Sequence, residues 1–123
     1  MMRAEVKRWW SEDLPDGRAL PADPARCCIG MQADIGPVGE ESADTFSFEA
    51  CTPSGLAARL DRDGRPYWAR GILVVESFSW EAVEAALYQF VRSVSGADWA
   101  EVAGKLSRFM YWEFEDMQPY VGE

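Results

Sequence analysis

Residues 111–116, Tyr-Trp-Glu-Phe-Glu-Asp, set three carboxylates among three aromatics in a chain that contains no histidine. On an extended segment, Glu113 and Glu115 have Cα atoms about 7 Å apart, close enough for the acid and base of a glycosidase pair. Alternating glutamates are also commonplace on a wet strand face, and a small domain has little room for a sugar cleft. A solvated or partner-facing surface is therefore the better account of Glu113, Glu115 and Asp116. Serine or cysteine catalysis lacks its usual histidine base, and Lys7 and Lys105, the only lysines, stand in no recognisable serine motif. Cys51 precedes a helix start, where the helix dipole could activate a thiol, but a packed cysteine is the ordinary outcome. Gly36-Pro37-Val38-Gly39 lacks the lysine of a phosphate loop and is followed by Glu40 and Glu41, which would repel phosphate. No calcium-loop pattern occurs. The expectation is a protein that is not an enzyme and uses no cofactor or metal.

The three cysteines agree with that. Cys27 and Cys28 are adjacent, so on a strand they face opposite ways, and Cys51 stands alone with no CxxC spacing. Reduced, mostly buried thiols are expected, as in the cytoplasm. No apolar run approaches the roughly 20 residues of a membrane helix, and the opening MMRAEVKRWW has no signal-peptide core. A length of 123 residues, 48% apolar, predicts one domain over 1–123 with one core.

The net charge of −9 is localised. Met31 to Ala58 contains no Lys or Arg but has Asp34, Glu40, Glu41, Asp44 and Glu49; Phe109 onward has Glu113, Glu115, Asp116 and Glu123, again with no basic residue. These two segments carry the whole imbalance. They disfavour a nucleic-acid partner and favour a basic protein.

The elements that must hold these residues follow from periodicity. Residues 3–9 alternate Ala4, Val6 and Arg8 against Glu5, Lys7 and Trp9, as an edge-type strand. Ser11 to Pro24 is a loop. Ile29, Met31, Ala33 and Ile35 fall on alternate positions, as do Phe46, Phe48 and Ala50; with GPVGEESA between them they predict an antiparallel hairpin with a projecting acidic tip. Thr52-Pro53 starts a short helix, ending near Asp63-Gly64, with Leu56 and Leu60 on its buried side. Residues 71–78 read as a central strand. Ser79 to Ser95 and the stretch from Asp98 read as amphipathic helices, the first stopped by Gly96 and the second opened by an Asp98/Glu101 capping box. In the segment after that, Trp112 and Phe114 are expected to face the core. The fold expected is α+β: an antiparallel sheet of about four to five strands with two amphipathic helices packed on one face.

Three segments, RAEVKRWW (3–10), IGPVGEESADTFSFEACTP (35–53) and KLSRFMYWEFEDM (105–117), carry a similarity across nearly the whole chain. Together they resemble the Immunity protein 8 family of bacterial polymorphic toxin systems, with Ser54-Gly55 standing where bulkier residues are usual. The resemblance implies a cytoplasmic inhibitor that binds a cognate toxin domain. The charge adds the expectation of a basic target such as a nuclease, met by Glu40, Glu41, Asp44, Glu113, Glu115 and Asp116. A small acidic protein-binding or regulatory module without a toxin partner is the other reading, and the sequence leaves self-association unknown under both.

Overall fold

A computed structural model describes residues 1–15 and 17–115. The elements run β1 (Met2–Ser11), β2 (Cys28–Pro37), β3 (Asp44–Cys51), α1 (Pro53–Asp63), β4 (Ile72–Val74), α2 (Trp80–Arg92), β5 (Ser95–Gly96), α3 (Trp99–Leu106) and β6 (Tyr111–Trp112). The class is α+β, as expected. The sheet is mixed, however, with strand order β4-β3-β2-β1-β5, and β6 also pairs with β3. β4 lies parallel to β3, and the other pairings are antiparallel.

The β2–β3 hairpin follows its alternation. Met31 pairs with Phe48 and Ala33 with Phe46, and directly opposed residues share a face, so these side chains join one buried layer. Val83, Leu87 and Val91 of α2 and Val102, Ala103 and Leu106 of α3 close that layer. The opposite face keeps Gln32, Asp34, Ser47 and Glu49, the polar halves of the same alternation.

β1 departs from simple alternation. Its register with β2 shifts between Val6 and Arg8, so a bulge reverses the phase of the second half. Val6 and Trp9 pack against the core, whereas Arg8 turns to the polar face and its Nε donates to Asp34 Oδ2 at 2.6 Å. Trp9 meets Trp80 of α2 at 5.3 Å between ring centroids.

The start of α1 forms as predicted: Thr52 caps it, its hydroxyl accepting the Gly55 N–H at 3.0 Å, with Pro53 in the first turn. The buried side is different from the one expected. Leu60 is 42% exposed, and Gly55 is the buried residue of the helix. Thr52 explains this, because its N–H donates to the Cys27 carbonyl and its hydroxyl accepts the Cys27 N–H, docking the helix by its first turn. Arg59 then reaches Glu49 on the polar face with two bonds of 2.9 and 2.6 Å.

Residues 71–78 do not form a central strand. β4 is a three-residue edge strand, and the run ends in a loop whose Val75 and Phe78 enter the core. An apolar run reports burial, and a buried loop after an edge strand satisfies it equally well. The first long helix stops at Ser93, short of Gly96, and Ser95–Gly96 pair instead with Met2 and Arg3. Among the described residues no helix is long and apolar enough to cross a membrane.

Cys27, Cys28 and Cys51 are free thiols. Burial, reinforced by the neighbouring Cys28, pushes the Cys51 thiol far above its ordinary range. Iodoacetamide at pH 8 is therefore expected to alkylate Cys51 only after denaturant is added, with three alkylated thiols counted by mass spectrometry in the unfolded protein. Modification of Cys51 as rapid as that of Cys28 in the native protein would contradict this placement.

Candidate partner-binding surface

The hairpin tip, residues 38–43, is tied to β1 from below. Lys7 Nζ donates to the carbonyls of Pro37 at 3.0 Å and Glu40 at 2.6 Å and pairs with Glu5 Oε2 at 2.6 Å. Glu5 Oε2 also accepts the Gly39 N–H. The Lys7 hydrogen bond, followed by that from Gly39, lowers the Glu5 pKa. The chain also folds closely on itself here: a Cβ on Gly36 would lie 1.9 Å from the Ser42 carbonyl oxygen. Glu40 and Glu41 are exposed on this fixed support, and Glu41 takes no partner among the described residues.

Asp44 differs from Glu40 and Glu41. It stands opposite Ile35, on the core side of the sheet, and its Oδ2 accepts the indole N–H of Trp99 at 2.7 Å and of Trp112 at 3.0 Å. It is a half-buried acceptor joining β3, α3 and β6, not part of a solvated turn. Alternation assigned Phe46 and Phe48 to the core face but could not show that two indoles from later in the chain would come to the same end of it.

The C-terminal acidic segment comes to lie against this same strand. Trp112 pairs with Phe46 and Tyr111 with Ser47. The Glu113 N–H donates to the Thr45 carbonyl at 2.9 Å, and Glu113 Oε2 accepts the Thr45 N–H at 2.5 Å. Thr45 in turn donates its hydroxyl to Asp34 at 2.7 Å. The two acidic segments are thus adjacent in space. The strand ends at Trp112, and the chain turns back with the Glu115 N–H on the Trp112 carbonyl. For that reason Phe114 is not core: it is 43% exposed, its ring edge-on to Trp112, while Trp112 is half-buried and stacks on Phe46.

Glu115 sits in that turn with both oxygens on the guanidinium of Arg70, one contact at 2.6 Å. The guanidinium holds its carboxyl below the usual range. Arg70 also donates to the carbonyls of Ser107 and Met110 and lies over the Tyr111 ring. Glu113 and Glu115 therefore answer to different partners, the Thr45 backbone and the Arg70 guanidinium. Asp116 lies outside the described residues. No group of three His, Cys, Asp or Glu that could hold a metal occurs among the described residues.

A family model for Immunity protein 8 matches residues 5–117. The chain belongs to the Immunity protein 8 family. No curated protein and no solved structure matches it. For an immunity protein, an inhibitor's surface matters more than a reaction centre, and the matched span covers the tip, the Asp44 clamp and the segment beside it.

Two features of this immunity protein were not picked out from its sequence. One is the polar face of the sheet, which no helix of the core layer covers. The other is the loop after α1, where Trp68 is 97% exposed beside Tyr67, whose ring lies 6.0 Å from the Arg59 guanidinium carbon. Aromatics next to arginine are the composition of interface anchors. The run RPYWAR, residues 65–70, was the available signal.

Proposed function

We propose that residues 1–123 act as a single domain that binds and neutralises a cognate toxin domain of a bacterial polymorphic toxin system in the cytoplasm of the cell it protects. The partner is a protein with a basic surface, as a nuclease has, and not a nucleic acid or a membrane. The observation carrying this is that the segment around Glu113 lies on Thr45, at the foot of the hairpin whose tip carries Glu40 and Glu41, within a chain that belongs to an immunity family. Carboxylates concentrated there would meet a surface built to attract phosphate.

Charges at an interface rim act mainly on encounter. The double substitution Glu40→Lys, Glu41→Lys is expected to slow association with the toxin domain encoded beside this gene by about tenfold or more at low salt. It should also reduce protection of cells expressing that toxin, leaving stability within about 0.5 kcal/mol of wild type, since both side chains are exposed on a backbone held by Lys7. A matched reversal of the exposed Glu76 and Glu81, near the start of α2, should change association far less. Full protection by the tip variant together with failure of the α2 variant would place the binding surface elsewhere.

A further inference from the structure

The polar face of the sheet contains a cleft of about 240 Å³ whose floor is the cross-strand pair Gln32 and Ser47. Glu12 and Asp13 wall it on one side, Glu49 and Tyr111 on the other. Its shape depends on glycine. After Ser11 the chain crosses over β2, and Asp13 Oδ2 accepts the Gly30 N–H at 2.6 Å, an approach that a Cβ on Gly30 would crowd at 2.9 Å. On the opposite side a Cβ at Gly71 would lie 2.4 Å from the Tyr111 ring, so that ring lies directly against the start of the edge strand.

Most polar groups on this face are already engaged: Asp34 by Arg8 and Thr45, Glu49 by Arg59. The groups in the cleft are the exception. The Gln32 amide, the Ser47 hydroxyl, the Glu12 carboxylate and the second oxygen of Asp13 take no partner among the described residues. The cleft therefore offers several acceptors and two carboxylates, Glu12 and Asp13, that pair with no cation among the described residues, with the Tyr111 ring on one wall. Its volume lies below the roughly 300–1,000 Å³ of pockets that enclose a whole small molecule, which suits one side chain better than a metabolite. A phosphate-bearing ligand would meet carboxylates, and a second copy of this chain would bring the same net charge of −9.

We infer that this cleft is the socket for an arginine or lysine side chain of the partner toxin, and that it holds the complex which the hairpin tip steers together. The inference rests on the toxin-binding reading and adds to it the surface and the chemistry of the anchor. A planar guanidinium, with five donors, matches the amide, hydroxyl and carboxylate acceptors that converge there.

Two substitutions of opposite charge at one floor position test it, with the toxin domain encoded beside this gene as the probe. Gln32→Lys should weaken the complex by about a hundredfold, mostly through faster dissociation, because it places a cation where the partner's cation belongs. Gln32→Glu should instead keep or tighten binding, by up to about tenfold at low salt, an improvement that mere damage to packing would not produce. Thermal midpoints of both variants, and of Ser47→Arg as a second filler of the cleft, identify any loss that comes from misfolding. Wild-type affinity in folded Gln32→Lys and Ser47→Arg, or equal weakening by Gln32→Lys and Gln32→Glu, would overturn the socket while leaving the toxin-binding reading intact. Failure of the wild-type protein to bind or protect would overturn both.

Discussion

Gly55→Ala is expected to remove a large part of the margin by which this protein is folded. A Cβ at position 55 would lie 2.3 Å from the carbonyl oxygen of Cys27, 2.7 Å from its carbon and 2.8 Å from its nitrogen. All three are backbone atoms, so no side-chain rotation relieves the contact. The helix cannot retreat either. Its cap, Thr52, is bonded to both the N–H and the carbonyl of Cys27, and moving α1 outward breaks those bonds inside a fully buried site. The loss should exceed about 3 kcal/mol, the upper range for overpacking, where native proteins have a total stability of order 5–15 kcal/mol. Gly104→Ala, in α3, is the control: nothing lies within 4 Å of the added methyl, and helix propensity predicts no loss or a gain of up to about 1 kcal/mol. Urea titration of the two variants reads the difference directly. A Gly55→Ala protein within about 1 kcal/mol of wild type would mean that α1 is not docked on Cys27 in this way.

Asp44→Ala has the next largest expected effect. Its carboxylate accepts two indole N–H groups from α3 and β6, and both tryptophans are half-buried. Hydrogen bonds to a charged acceptor contribute about 1.5–3 kcal/mol each where water is excluded, and partial exposure of the indoles reduces that. A combined loss of about 3 kcal/mol is the estimate. Asp44→Asn keeps an acceptor oxygen and should lose about 1 kcal/mol. The variants should also shift tryptophan emission to the red, because Trp99 and Trp112 lose the acceptor that orders them. Since β6 carries Glu113 against Thr45, loosening it should disturb the acidic edge as well. For this reason charge reversal at the tip is informative at Glu40 and Glu41 but confounded at Asp44. An Asp44→Ala protein as stable as wild type would show that the two indoles are satisfied without it.

What could be read from the sequence was what depends on neighbours along the chain. Alternation in β2 and β3 reports which side of a pleat each residue occupies, so Met31, Ala33, Phe46 and Phe48 were placed in the core from spacing alone. Thr52-Pro53 and Asp98 act through their own backbone and side-chain oxygens within one helical turn, and both helices start where those residues predict. Family membership was legible for a similar reason, because it rests on residue patterns spread over residues 5–117.

The tertiary structure decided whatever depends on distant segments meeting. A one-residue bulge in β1 set Trp9 against the core and turned Arg8 to the polar face, and the residues themselves carry no local mark of that shift. β4 and β6 share one edge of β3, one beside Glu49–Cys51 and the other beside Phe46–Ser47, from positions that begin some twenty and sixty residues later. That sharing makes the sheet mixed, turns the chain after Trp112 so that Phe114 is exposed, and brings Glu113 to Thr45. It also gives Asp44, at the start of β3, its two indoles, so that this carboxylate is half-buried and bonded where Glu40 and Glu41 are exposed. Spacing could therefore show where negative charge accumulates along the chain, but only the tertiary structure shows that Glu41 takes no partner among the described residues while Asp44 and Glu115 are bound, because a carboxylate's state depends on which donors the fold brings within about 3 Å of it.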